Sequence, residues 1–429
     1  MRYDPIDPRL FVHNRAELAR LLAANSFAVV NANDIMPTSA DGAHPFVQNP
    51  DLFYLSGIDQ EETLLVIYPE ARDPRQREML FLKETDERIA TWEGAKLTKE
   101  EGRRISGISS VHWTREFESL FRQLACEADC IYLNSNEHLR AEVRVETRDM
   151  RFAAWCRKAF PLHGYRRLAP LMQRLRAVKS PQEVALMRRA GRITGEVFAQ
   201  LLKFIRPGVW EYEIEAEIVH GFLRRRSRRP AYTSIVASGP NSCVLHYVQK
   251  SRQCRKGELV LLDFGAEYAN YAADMTRTVP VSGRFNPRQR QVYDAVLRVQ
   301  RAAMAMLVPG NTLKAYHEEV GRIMEKELIG LGLLDAGEVK NQDENAPLYK
   351  QYFMHGTSHH LGLDVHDVAD RHRPFEAGMV LTCEPGIYIS AESLGVRIET
   401  DVLIGDDGPV DLLAQVPVEA DDIEALMRM

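Results

Sequence analysis

The sequence predicts an α+β protein of two domains, and three observations carry that expectation. At 429 residues the chain exceeds the size at which a single hydrophobic core keeps growing. Its first 160 residues or so alternate helical and strand patterns, as a mixed sheet covered by helices would. From residue 258 onward the pattern changes to apolar strand-like runs, several of which deliver one isolated acid each, around a stretch dense in histidine.

Taken in order, residues 15–24 carry a helical pattern and residues 26–31 a strand. The run Asn49-Pro50-Asp51-Leu52-Phe53-Tyr54-Leu55-Ser56-Gly57 reads as turn chemistry entering a short aromatic strand. β-Branched and apolar residues mark strands at 63–69 and 78–83, helices follow near 98–105 and 116–127, and a short strand falls at 131–133. This alternation suits a mixed α/β N-terminal domain over residues 1–170. A boundary falls near residues 169–181. There residues 172–178 read as helical, and Ser180-Pro181-Gln182-Glu183 restarts a helix with a Ser cap, a proline at the first position and a glutamate at the third. That helix is predicted to run to about Phe204, before Pro207-Gly208. An amphipathic helix over 211–225 leads into a strand at 232–236. Long antiparallel strands, interrupted by helices at about 287–307 and 312–329, complete a second domain over residues 171–429.

Composition excludes several functions. A hydrophobic content of 45% with 27% charged residues describes an ordinary soluble globular protein. A net charge of −5 gives no reason to expect nucleic acid. The one basic run, residues 224–229, reads as the solvated end of a helix. No stretch of about eighteen apolar residues suggests a membrane span, and the N-terminus has no signal-peptide pattern. The six cysteines are scattered. Cys126 and Cys130 lie a helical turn apart with no second pair, so reduced thiols in a cytoplasmic protein are expected.

The chemistry gathers around His355, His359, His360 and His366, four of the thirteen histidines within twelve positions. Gly356 and Gly362 interrupt any helix here, and residues 362–366 read as a short extended run. Imidazole is a common metal ligand and a proton carrier near neutrality. An apolar strand from Glu258 ends on Asp263, ahead of Gly265. Asp274 sits in a second strand over 271–279, and a connection through Ala269-Asn270 folds the two into a hairpin. After the histidines, another apolar run ends on Glu384 before Pro385-Gly386. In the alternating run that follows, Arg397, Glu399 and Asp401 share one face. Acids inside apolar strands are costly unless paired or bound to cations. Asp263, Asp274, His359, Glu384 and Glu399 thus form an oxygen-rich set with one imidazole, suited to two divalent cations of the Mn²⁺, Co²⁺ or Zn²⁺ type, with Asp274 and Glu399 as bridges. Two such cations sharing a hydroxide and polarising a carbonyl suit hydrolysis.

These motifs resemble the pita-bread metallopeptidases, and among them the Xaa-Pro aminopeptidase (aminopeptidase P) and prolidase branch. The resemblance rests on the five ligands in order, in Gly-Thr-Ser-His-His-Leu-Gly, Thr-Cys-Glu-Pro-Gly and Val-Arg-Ile-Glu, and spans residues 170–410. Residues 48–57 carry a weaker N-terminal match. It implies a pita-bread catalytic domain in which Asp263 chelates one metal, His359 and Glu384 the other, and Asp274 and Glu399 bridge. It implies that Glu384 also relays a proton to the leaving amine, and that His246, His355 and His366 contact substrate or stabilise the oxyanion. Arg397 matches an arginine that pairs with the site's carboxylates, and His360 is left without a role. Trp92, Asp41 and Arg371 resemble positions of the aminopeptidase branch, where the N-terminal domain reaches a neighbouring subunit's site; Trp92 is equally readable as a strand or loop aromatic.

The reaction so implied is removal of the N-terminal residue from peptides with proline second, by a manganese-dependent metalloprotease that forms a homodimer or homotetramer. A dipeptide-only prolidase stands beside it, because the motifs do not decide whether the site is open on the leaving-group side. A pita-bread binding module without catalysis is the reading from outside the enzymes, and the complete ligand set argues against it.

Overall fold

Six strands from the first part of the chain pair into one mixed sheet in the order β4-β3-β2-β1-β5-β6. They are β1 (Ser26–Asn31), β2 (Leu64–Ile67), β3 (Glu78–Leu82), β4 (Ser110–Trp113), β5 (Cys130–Leu133) and β6 (Gly164–Arg167). β1 is central and wholly buried, antiparallel to β2 and parallel to β5. Helices α1 (Arg9–Leu21), α2 (Pro50–Ser56), α3 (Glu87–Glu93), α4 (Lys99–Ser106), α5 (Phe117–Ala125), α6 (Arg148–Ala159) and α7 (Ala169–Ala177) connect the strands. Phe27, Phe81 and Phe121 anchor an aromatic core, with Phe117, Phe152 and Trp155 packed on it. In this computed structural model, which describes residues 3–343 and 345–428, these elements form one unit, Asp4–Arg176, and the chain from Ala177 onward, with Tyr3, forms a second.

The N-terminal unit corrects one sequence expectation outright. Residues 49–57 form no strand; Pro50–Ser56 is helix α2. The Asn49 side chain accepts from the N–H groups of Asp51 and Leu52, Pro50 takes the first helical position, and Gly57 closes the helix at φ 67° with its N–H on Phe53. Caps at both ends override the aromatic content that suggested a strand. Helix α1 starts at Arg9 rather than residue 15, and its buried face includes Asn14 and Arg15, which hides the apolar period. Arg15 is held there by the carbonyls of Leu55 and Ser106 at 2.8 and 3.0 Å and by Glu78 at 2.9 Å.

The second unit opens with α8 (Pro181–Phe204), where Ser180 and Glu183 form the expected capping box. It continues with α9 (Glu211–Arg224), α10 (Pro287–Ala305), α11 (Leu313–Gly330), the short α12 (Ala336–Lys340) and α13 (Ala420–Met427). The strands are shorter than expected. β7 (Ile235–Ser238), β8 (Leu259–Asp263) and β11 (Thr276–Pro280) form one sheet, and β9 (Glu267–Tyr268) pairs with β10 (Tyr271–Ala272). β12 (Val380–Cys383), β15 (Thr400–Gly405) and β16 (Gly408–Asp411) form another, and β13 (Gly386–Ile389) pairs with β14 (Leu394–Arg397).

Three further expectations change here. The strand anticipated over 271–279 is broken into β10 and β11, because the Asp274 N–H leaves the ladder for the Asp401 carboxylate at 3.1 and 3.3 Å. Residues 362–366 are not extended: the Gly362 N–H bonds Asp364 O and the Asp367 N–H bonds His360 O, so the segment folds back on itself. The basic run after α9 is partly pinned, with Arg225 on Glu196 at 2.8 Å and Arg229 on Glu267 at 2.7 Å. No helix among the described residues is long and apolar enough to cross a membrane.

One glycine fixes the hairpin geometry. A Cβ on Gly265 would sit 1.7 Å from the carbonyl oxygen of Ala273, so backbone rather than side chain would have to move. Gly265→Ala is expected to destabilise the protein by about 3 kcal/mol or more in chemical unfolding. Gly330→Ala, at the end of α11 with open space around it, is expected to be neutral or stabilising by about 0.5 kcal/mol; equal effects would contradict the close approach.

Candidate metal centre

Strand β8 carries Asp263 to its end, opposite Thr276 of β11 and Ile235 of β7. The chain then turns through Ala269 and Asn270, both left-handed at φ 52° and 65°. Two consecutive positive φ values between paired Tyr268 and Tyr271 make the primed turn that matches strand twist. The return brings Asp274 beside Asp263, and the hydroxyl of half-buried Tyr232 lies 2.5 Å from a carboxylate oxygen of each.

The histidine run is stitched to β12. His359 donates its N–H to the Thr382 hydroxyl at 3.1 Å and accepts the Thr382 N–H on its carbonyl at 2.9 Å. Glu384, immediately past β12, gives its N–H to Thr357 O at 2.9 Å. His359 Nε2 thereby comes within 3.5 Å of Asp274 and 3.7 Å of Glu384. Its Nδ1 contacts His360 O at 3.0 Å, so Nδ1 carries a proton and Nε2 faces the acids, the orientation a ligating imidazole needs. Between β14 and β15, Glu399 turns in and accepts from the Thr276 hydroxyl at 2.6 Å. Ligand atoms of Asp274, His359 and Glu399 lie within 4.8 Å of one another.

The charged face over 397–401 is not solvated. Arg397, Glu399 and Asp401 are 4%, 2% and 2% exposed. Arg397 reaches Asp263 at 2.6 Å and the Tyr388 hydroxyl at 2.8 Å. Burial raises the Asp263 carboxyl, with Arg397 opposing and Asp274 adding. Burial also pushes Glu384 up to about 7, with His359 opposing and Asp274 adding. Glu399 is raised well above the carboxylate range by burial and then by Asp274 and Glu384. Four carboxylates around one guanidinium leave a surplus of negative charge in a dry place. Oxygen donors with one correctly oriented imidazole fit divalent cations of intermediate hardness.

The remaining predicted residues divide. The His366 ring lies 4.0 Å from the His359 ring, centroid to centroid, and the buried Lys179–Asp367 pair at 3.0 Å pins the chain beside it. His355 places Nε2 on the Tyr388 hydroxyl at 2.8 Å and Nδ1 on Gly356 O at 2.8 Å, and burial pushes it down to about 3. His246 is exposed on a turn and close enough to act on His355 electrostatically. His360 bridges Leu381 and its Nδ1 is buried without a hydrogen-bond partner. Arg371 is exposed in a turn. In the other unit, Trp92 is 83% exposed on helix α3, and Asp41 is exposed. Sequence reasoning missed Tyr232, Thr276 and Tyr388, and gave Asp401 no role; nothing in their local sequence distinguishes them from ordinary strand residues.

The chain matches two family models: Metallopeptidase family M24 over residues 185–406 and Aminopeptidase P, N-terminal domain, over residues 11–132. The Xaa-Pro aminopeptidases of Escherichia coli and Haemophilus influenzae are 36% and 35% identical to it, each alignment covering 97% of both chains. The solved structure of proline aminopeptidase P II from Yersinia pestis matches with a TM-score of 0.87 and 34% identity, covering 98% of this chain and 99% of that one.

If the clustered carboxylates await cations, divalent metal will stabilise the fold by binding it and not the unfolded chain. Mn²⁺ is expected to raise the melting temperature of chelator-stripped protein by several degrees, and Asp274→Asn to abolish most of that rise. A melting temperature indifferent to Mn²⁺, Co²⁺ and Zn²⁺ would contradict the assignment.

Proposed function

The chain belongs to metallopeptidase family M24, and from that premise we infer that it is a Xaa-Pro aminopeptidase. It removes the N-terminal residue from peptides whose second residue is proline. The observation that carries this reading is the acid-rich cluster in which Asp274, His359 and Glu399 bring ligand atoms within 4.8 Å of one another, in a chain that matches Xaa-Pro aminopeptidases over nearly its whole length. Residues 1–170 are assigned to the aminopeptidase P-type N-terminal domain and residues 171–429 to the catalytic domain.

Asp263, Asp274, His359, Glu384 and Glu399 would hold two divalent ions, Mn²⁺ by preference, with Asp274 and Glu399 shared. When bound, such ions supply Lewis acidity to the scissile carbonyl and lower the pKa of a water. Glu384 takes the proton from the attacking water and returns it to the proline nitrogen as the bond breaks. His246, His355 and His366 line the peptide. His366, its ring tilted beside that of His359, and His246, exposed on its turn, are the donors suited to the developing oxyanion. His355, with both nitrogens engaged by Tyr388 and Gly356, anchors the wall. Arg397 balances Asp263 and, through Tyr388, orients His355. Trp92, Asp41 and Arg371 would act, as part of a homodimer or homotetramer, on substrate length. A cytoplasmic location fits the scattered reduced cysteines.

Hydrolysis of Xaa-Pro-Yaa tripeptides against Xaa-Pro dipeptides by Mn²⁺-loaded protein tests the reading. Cleavage of the first tripeptide bond, lost on chelation, is the expected result; turnover of dipeptides alone would make the enzyme a prolidase. Glu384→Ala is expected to lower kcat by at least about a hundredfold, and full activity in that variant would remove the proton relay.

A further inference from the structure

A second buried acid, outside the ligand set, organises the loop that carries His246. Glu211 is fully buried in the first turn of α9. Five donors converge on its carboxylate. Oε1 accepts from the Ser238 N–H at 2.7 Å, the Ser238 hydroxyl at 2.8 Å and the Asn241 side-chain amide at 3.0 Å. Oε2 accepts from the Tyr247 hydroxyl at 2.8 Å and the Arg252 N–H at 3.0 Å. A carboxylate offers about four lone-pair directions, so this one is saturated. Its donors come from the end of β7, the turn after it and both sides of the loop that returns to β8.

Beyond these contacts the loop is held at its far end, where buried Lys250 pairs with Glu215 and Arg252 with Glu258. Residues 244–250 form no strand or helix, and Val244 and Val248 are 52% and 57% exposed. Tyr247, between exposed His246 and exposed Val248, is the one side chain there that turns fully inward among apolar neighbours. It packs on Ile235, Ala237, Leu261 and Tyr388 and ends on Glu211. Tyr388 is the residue that joins His355 to Arg397. At its base the loop is tied to β14 by the Gly395 N–H on the Ser242 hydroxyl at 2.8 Å.

We propose that Glu211, through the Tyr247 hydroxyl, is the positioning residue that sets His246 against the substrate. Neither group touches the reacting atoms; their effect passes through the imidazole next in sequence to Tyr247. The assignment rests on the reading of His246 as a substrate-contacting residue, and the experiment separates the two.

The measurement is kcat/KM on a Xaa-Pro-Yaa peptide for Mn²⁺-loaded wild type, Tyr247→Phe, His246→Ala and the double variant, with metal content and melting temperature for each. Tyr247→Phe loses the bond to the charged Glu211 and the longer one from the Ser251 N–H at 3.3 Å, worth about a tenfold fall, with metal content unchanged. His246→Ala is expected to fall further, and the double variant to match His246→Ala within about twofold, because the hydroxyl then has nothing to position. Multiplicative losses in the double variant, or an unaffected Tyr247→Phe, would overturn the proposal. An unaffected His246→Ala would remove the role of His246 and this inference with it, while leaving the peptidase reading intact. Glu211→Gln turns a donor toward other donors and is expected to lose at least as much as Tyr247→Phe; where it fails to fold, Tyr247→Phe decides.

Discussion

Repulsion among buried carboxylates is the constraint to which the second unit answers. Asp263, Asp274, Glu384 and Glu399 are drawn together against their mutual charge, and the Arg397 guanidinium is bound directly to Asp263. Water would separate them at no cost, whereas a dry interior can keep them close only if the backbone leaves no alternative. The unit supplies that rigidity through short strands whose ends coincide with the acids. Asp263 closes β8 and Glu384 follows β12, while Glu399 falls between β14 and β15.

The second layer of contacts works mostly through hydroxyls and backbone groups. Tyr232 spans Asp263 and Asp274, Thr276 holds Glu399, and Asp401 takes the Asp274 N–H. Arg277, buried, gives its guanidinium to the carbonyls of Glu399 and Pro417. Neutral donors orient a carboxylate without cancelling its charge. The donors fix the geometry while the crowded carboxylates, raised by burial, keep their charge at lowest cost with a cation among them.

Much of this was legible in the sequence, for identifiable reasons. The helix after Ser180 announced itself through its capping box, and the Asp263–Asp274 hairpin through two acids flanking a turn dipeptide that tolerates positive φ. The ligands stood out because acids are rare in apolar runs. Residues 49–57 were misread because aromatic content outweighed the Asn and Gly caps that make a helix there. Asp274 lost its ladder bond to Asp401, a partner 127 residues away, and no local pattern encodes such an exchange. Tyr232 and Tyr388 look like ordinary apolar strand residues until their hydroxyls are placed. Helix α6 and strand β6 escaped because the first has a broken apolar period and the second is largely exposed.

The ion pair between Arg397 and Asp263 joins residues 134 positions apart, and the Thr276–Glu399 contact spans 123. A growing chain emerging from the ribosome thus makes Asp263 and Asp274, with Tyr232 before them, long before Arg397, Glu399 and Asp401 exist. The N-terminal sheet, whose partners all lie before residue 170, can close first. The acidic hairpin can pair with β7 and meet Tyr232 as soon as residue 280 is made, but its contacts to Arg397, Glu399 and Asp401 come only with the last strands. The full set from Asp263 to Glu399 therefore exists only once the chain has passed Glu399.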